Sequence, residues 1–279
     1  MTEREASVVQ PAHQQTSQEV QQVQDVAGIT YLSEGQGVPI LFLHGIAGAA
    51  RQFSPQLAAF GLSHRAIAWD MPGHGHSAPL PLVTINALAA SLGAFIAALG
   101  LERPILVGHS LGGMIVQRLL LEAPHIARAV VLSQTCAAFG GRDSGWADAF
   151  IRERLAPLDE GRTMSELAPA MASAQMAPNP DPAALALAQD CIAHTPESSY
   201  RDAILASRGF DLRAALPRIA VPTLLIAGAL DQAAPTPAIQ RMASQIPGAT
   251  CIVLHGVGHL AHLEAPGRFN AAIKDFLDT

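Results

Sequence analysis

Residues 105–113 read ILVGHSLGG, an apolar run that stops at Ser110 among glycines at 108, 112 and 113. A continuous apolar run of this length marks a strand buried on both faces, and LGGMIVQRLLLEA, residues 111–123, follows with a helical pattern. Gly108, Ser110 and Gly112 thus match GxSxG in the strand-to-helix context that the motif requires. A strand turning straight into a helix strains its central residue, which is tolerable only if the positions two before and two after carry no Cβ. Such a turn holds a serine hydroxyl out of the fold, at the start of a helix whose amides face a developing negative charge. The alternative is a glycine-rich turn with an incidental serine.

Working outward, PILFLHG (39–45), HRAIAWD (64–70), ARAVVLSQ (127–134), VPTLLIAG (221–228) and ATCIVLHG (249–256) repeat the pattern of buried strands. An alternating, hairpin-like stretch precedes them at 19–37. Helical patterns separate most of these runs, which predicts an α/β fold: a mostly parallel eight-stranded sheet with helices on both faces. Between Ser133 and Val221 several short helical patterns separated by prolines exceed what one crossover needs. They predict a helical cap inserted after the sixth strand. The expected organisation is a mobile polar tail at 1–17, a core at 18–134 and 221–279, and a cap insertion at 135–220.

Bulk properties narrow the function classes. A formal charge of -6 over 279 residues offers no basic surface for a phosphodiester backbone, so no nucleic-acid partner is expected. Three widely spaced cysteines, Cys136, Cys191 and Cys251, lack metal-ligand spacing, and their odd number fits a reducing, cytoplasmic compartment. The N-terminus lacks the basic and apolar regions of a secretory signal. No Asp, Glu, Lys or Arg occurs from Met71 to Leu101, yet Asn86, Ser91 and Gly93 interrupt the stretch, so a buried helix is expected there and no membrane span.

Serine becomes a nucleophile only when a base takes its proton, so GxSxG demands a carboxylate and a histidine downstream, in that order. Asp231 follows the strand at 221–228, and His259 follows the strand at 249–256. Adjacent parallel strands end on one edge, so the loops carrying Ser110, Asp231 and His259 converge. Asp231 would orient His259, and His259 would deprotonate Ser110 and then protonate the leaving group. His255 and His262 are the decoys near the candidate base, and an Asx-turn is the alternative for Asp231. Asp70 precedes the serine and a turn-forming MPGHGHS, so it reads as a loop anchor. Backbone N–H groups of Leu111, directly after the nucleophile, and of Ile46, in HGIAG, are the candidate oxyanion donors.

With LFLHGIAG, DMPGHGHS, GHSLGG, VPTLLIAGALD and GHLAHLEAP in order, the chain from about residue 24 onward resembles the α/β-hydrolase superfamily. The resemblance implies Ser110, Asp231 and His259 as a triad, Ile46 and Leu111 as the oxyanion hole, and no metal or organic cofactor. Within the superfamily the C-terminal half is most similar to 3-oxoadipate enol-lactonases and related small carboxylester or lactone hydrolases. That likeness implies an acyl-enzyme on Ser110 and a small ester or lactone as the substrate.

Meta-cleavage carbon–carbon hydrolases are the alternative, but they tend to carry a tryptophan after the histidine and a serine-containing loop after HG. Here Leu260 and IAG stand there. Cofactor-free perhydrolases share the triad, and a non-turnover ligand receptor with this fold is the reading from another class. Phe139, Trp146 and Met176 are candidate pocket residues from the cap. An enol-lactone of a dicarboxylic acid would need a cation for its free carboxylate, for which Arg51 and Arg142 are the candidates. A homo-oligomer is left open.

Overall fold

A computed structural model describes residues 23–140 and 144–279. The expected tail and Arg142 lie outside the described residues. Eight strands form one sheet: β1 (Gln24–Val26), β2 (Ile29–Glu34), β3 (Pro39–Leu43), β4 (Arg65–Trp69), β5 (Ile105–His109), β6 (Ala129–Ser133), β7 (Thr223–Gly228) and β8 (Thr250–Leu254). Their spatial order is β1-β2-β4-β3-β5-β6-β7-β8. β1 and β2 pair antiparallel, as do β2 and β4, while every pair from β4 through β8 is parallel. The eight-stranded, mostly parallel α/β sheet expected from the apolar runs is therefore the observed one.

Alternation along each strand splits the core into two layers. Leu41, Leu106, Val130 and Leu225 face one layer, against α2 (Ile85–Ala98), α3 (Leu111–Glu122) and α8 (Thr236–Ala243). Ile40, Val107, Val131 and Ile226 face the other, against α1 (Ser54–Phe60) and α9 (Pro266–Leu277). Both faces are apolar because both are covered, which is why these strands read as unbroken apolar runs. The uncharged stretch that raised the membrane question contains α2, only 14 residues long, capped by Thr84 and buried through Leu88, Leu92 and Phe95. Complete burial of one such side chain contributes about 1.5–3 kcal/mol. Among the described residues no helix is long and apolar enough to cross a membrane.

Between β6 and β7 the described residues form four α-helices, α4 (Ser144–Asp159), α5 (Met164–Gln175), α6 (Pro182–Ala193) and α7 (Glu197–Ser207). Local chemistry fixes their starts: Thr163 and Glu166 form a reciprocal capping box at α5, and the Asp181 carboxylate accepts the amides of Ala183 and Ala184 at α6. Prolines do not always end these helices, since Pro157 sits inside α4 and Pro169 inside α5. A proline removes one backbone donor, so each of these helices forgoes an internal hydrogen bond at that position. Ile151, Leu167, Ala188 and Ile204 from the four helices share a core with Ala47, Leu260 and Leu263, which lie beyond the carboxyl ends of β3 and β8. The helices therefore cover the edge of the sheet from which the site is built.

Candidate active site

Parallel pairing brings the carboxyl ends of β3, β5, β7 and β8 to one edge. Ser110 sits between β5 and α3 with φ 52° and ψ -117°, a left-handed backbone that a non-glycine residue adopts at a cost of about 1–3 kcal/mol. The flanking glycines make this turn sterically possible. A Cβ on Gly108 would meet Gly113 Cα at 2.7 Å, and one on Gly112 would run into the Leu43 carbonyl at the end of β3. The Ser110 carbonyl is tied down by the Thr135 hydroxyl, which donates to it at 2.8 Å.

The Ser110 hydroxyl lies 3.0 Å from Nε2 of His259, and Nδ1 of His259 lies 2.8 Å from Oδ2 of Asp231. A carboxylate only accepts, so the proton between these two belongs to Nδ1, and Nε2 is left to accept from the serine. The other carboxylate oxygen of Asp231 accepts the amides of Ala233 and Ala234 at 2.8 and 3.0 Å. This is the Asx-turn weighed as the alternative for Asp231, and it coexists with the histidine contact, because the two oxygens divide the tasks.

Three contacts that the sequence reading did not foresee hold the histidine loop. The His259 amide donates to the Gln175 carbonyl at the end of α5 at 2.7 Å, and the His259 carbonyl accepts from His109 Nε2 at 2.8 Å. The Glu264 carboxylate accepts the amides of Gly258, Leu260 and, from the cap, Ala177. Glu264 and His109 act as positioning residues. No local motif announces either one, since each depends on a chain reversal or on a partner far away in sequence.

Around His259 lies a set of buried imidazoles. His109 packs against His259 and His262 with ring centroids 4.9 and 4.7 Å apart, and His44 against His74 at 5.2 Å. His44 donates from Nδ1 to the Gly45 carbonyl and accepts the Met71 amide at Nε2, which fixes the start of the HGIAG loop. Burial pushes His44 down to about 4, and burial with His44 nearby pushes His74 down to about 3. Burial, reinforced by the neighbouring imidazoles, lowers His262 to about 3 and His109 well below the ordinary range. These rings are neutral in the folded protein at neutral pH. Among the described residues no group of three or more His, Cys, Asp and Glu is arranged to hold a metal ion.

A cavity of about 130 Å³ opens on Ser110 and His259. Ile46 and Leu111, the candidate oxyanion donors, line it, and neither amide donates to a protein acceptor among the described residues. Phe139 and Trp146 also line it, together with Phe150, Arg154 and Tyr200. The decoys fall elsewhere: His255 is exposed and His262 is buried against Phe53. Asp70 accepts the Ala50 amide and the Thr30 hydroxyl, an anchor for the loop after β3.

Two expectations for substrate contact require correction. Arg51 does not line the cavity: a 3-10 helix at Ala50–Phe53 turns its guanidinium toward α6, where it pairs with Asp190 at 2.8 Å and donates to Cys191 Sγ. Met176 does not line it either. It is the extended C-cap of α5 and packs into the cap core, while Met171 and Gln175, four residues apart on one helix face, reach the cavity.

Comparison with known proteins extends this geometry. Residues 38–266 match a family model described as alpha/beta hydrolase fold. A protein of Pseudomonas savastanoi pv. phaseolicola named for carbamate hydrolysis, RutD, is 30% identical over 250 residues, covering 86% of this chain and 94% of that protein. Polyketide synthase ThaQ of Burkholderia thailandensis is also 30% identical over 88% of this chain, which spans only 12% of that much longer protein. Among solved structures, the enol-lactonase of Burkholderia xenovorans LB400 superposes with a TM-score of 0.80 at 26% identity, over 92% of this chain and 100% of that one.

Proposed function

Because the chain belongs to the α/β-hydrolase family and is related to enol-lactonases, we propose that this hydrolase cleaves a small carboxylic ester or lactone through an acyl-enzyme on Ser110. The observation that carries the reading is the contiguous relay of Ser110 Oγ, His259 Nε2, His259 Nδ1 and Asp231 Oδ2, with links of 3.0 and 2.8 Å. As Oγ attacks the carbonyl carbon, its proton passes to Nε2, and Asp231 stabilises the imidazolium. The amides of Ile46 and Leu111 would receive the oxyanion, a role worth roughly 3 kcal/mol per donor. The imidazolium then protonates the departing oxygen; a water, activated by the same Nε2, cleaves the acyl-enzyme.

Leu260 supports ester or lactone cleavage over carbon–carbon cleavage, because a buried aliphatic side chain lines the cavity directly after the catalytic histidine. The relative named for carbamate hydrolysis makes a carbamate the natural competitor in the test. Purified protein offered a panel of phenyl esters, lactones, a phenyl carbamate and a dienoic ketone is expected to turn over esters or lactones many times per molecule. Their kcat/KM should exceed that of the carbamate by at least about tenfold, a transition-state difference of about 1.4 kcal/mol. Preference for the carbamate or the ketone would overturn the bond assignment. A single turnover with no release would favour the receptor reading.

A further inference from the structure

The helix α4 contributes to the cavity wall a cation, Arg154, that pairs with no carboxylate among the described residues. Along α4, Trp146, Phe150 and Arg154 follow at intervals of four residues and so share one helix face, and all three line the cavity that holds Ser110. The Arg154 guanidinium lies over the Phe150 ring, 5.0 Å from its centroid, and Tyr200, itself only 2% exposed, lines the same cavity. Among the described residues no carboxylate pairs with Arg154, whereas Arg51, Arg201 and Arg208 in the same part of the molecule each have one. Among the described residues the other ionisable groups that line the cavity are imidazoles, a thiol and the Tyr200 phenol.

A guanidinium held against aromatic rings is partly desolvated, and its planar donor fork matches a carboxylate better than any neutral group. Contact with the Phe150 ring restrains the fork, so less side-chain freedom remains to be lost when an anion arrives. The cavity is close in volume to those of ~150 Å³ that hold a benzene ring, so a carboxylate at Arg154 would belong to the same small molecule whose acyl carbon sits at Ser110.

Resting on the hydrolase reading above, we propose that Arg154 is the binding site for a carboxylate carried by the substrate, which makes the substrate class a small monoanionic ester or lactone.

The test compares two anionic esters with uncharged counterparts: mono-p-nitrophenyl glutarate against p-nitrophenyl valerate, and acetoxybutanoate against acetoxybutanamide. The pairs place the charge on the acyl side and on the alcohol side. In the wild type at least one anionic ester is expected to exceed its counterpart in kcat/KM by roughly tenfold to a hundredfold, as a charged hydrogen bond supplies. Added salt should shrink that ratio, Arg154→Met should abolish it, and Arg154→Lys should retain part of it. Equal rates within both pairs, or a ratio unchanged in Arg154→Met, would overturn the proposal.

A second arm needs no turnover. In a Ser110→Ala background, calorimetry of mono-p-nitrophenyl glutarate and acetoxybutanoate should show at least one binding, weakened roughly tenfold or more by adding Arg154→Met. Binding without wild-type hydrolysis of any of the four esters would refute the hydrolase reading and leave the anion site standing. Hydrolysis without charge preference would do the reverse.

Discussion

Replacing Ser110 by alanine is expected to lower kcat on an activated ester by roughly a thousandfold or more, with little change in KM. The change removes one oxygen atom. The left-handed turn persists, because alanine meets the same backbone constraint as serine at φ 52° and the glycines that make room are untouched. The His259–Asp231 contact is also untouched. Without the hydroxyl Nε2 has no proton to take from the protein, so only water attack aided by the oxyanion donors remains. Initial rates at saturating ester measure the effect. A Ser110→Ala variant within about tenfold of the wild type would exclude the acyl-enzyme route.

Acid should destabilise the fold steeply, for a reason unrelated to the chemistry. His44, His74, His109 and His262 are all lowered in the folded state by burial, to about 4 for His44 and about 3 for His74 and His262. The unfolded chain titrates near the ordinary value of about 6.5, so below that pH it binds protons that the folded chain refuses. Stability is therefore full above about pH 6.5 and falls with pH until the folded imidazoles themselves take protons. Each one contributes a slope of about 1.4 kcal/mol per pH unit. Denaturant midpoints measured between about pH 7 and pH 5 should drop accordingly, and His262→Phe should remove one such increment from the slope. His262 is the informative choice because it stacks on Phe53, and neither ring nitrogen has a protein partner among the described residues. Midpoints that do not move over this range would contradict the account of a neutral buried cluster.

The strands, and the meeting of Ser110, Asp231 and His259, were legible because each rests on a local signal. Continuous apolar runs mark strands covered on both faces, and parallel strands bring the loops after them to one edge, so Ser110, Asp231 and His259 could be named from chain order. Contacts made by long side chains were not legible in the same way. Arg51 follows the HGIAG loop closely enough to suggest the pocket, but one short helical turn points it at Asp190 instead. Met176 failed by a single position: α5 ends there, and the next residue along a helix points about 100° away from its neighbour. A signal for Arg154 was present all along in the spacing of Trp146, Phe150 and Arg154, although spacing cannot say which helix face looks onto the cavity. Glu264 required the fold itself, since its carboxylate gathers amides from the histidine loop and from the cap.

In the proposed reaction Ser110 carries the acyl group between two chemical steps. Rapid quenching of the wild-type enzyme during turnover of a p-nitrophenyl ester, followed by peptide mass spectrometry, tests it most directly. One acyl increment is expected on the peptide containing Ser110, formed in step with a burst of p-nitrophenolate and absent from Ser110→Ala. Turnover with no acylated peptide at any quench time and no burst, or an increment on a different residue, would contradict it.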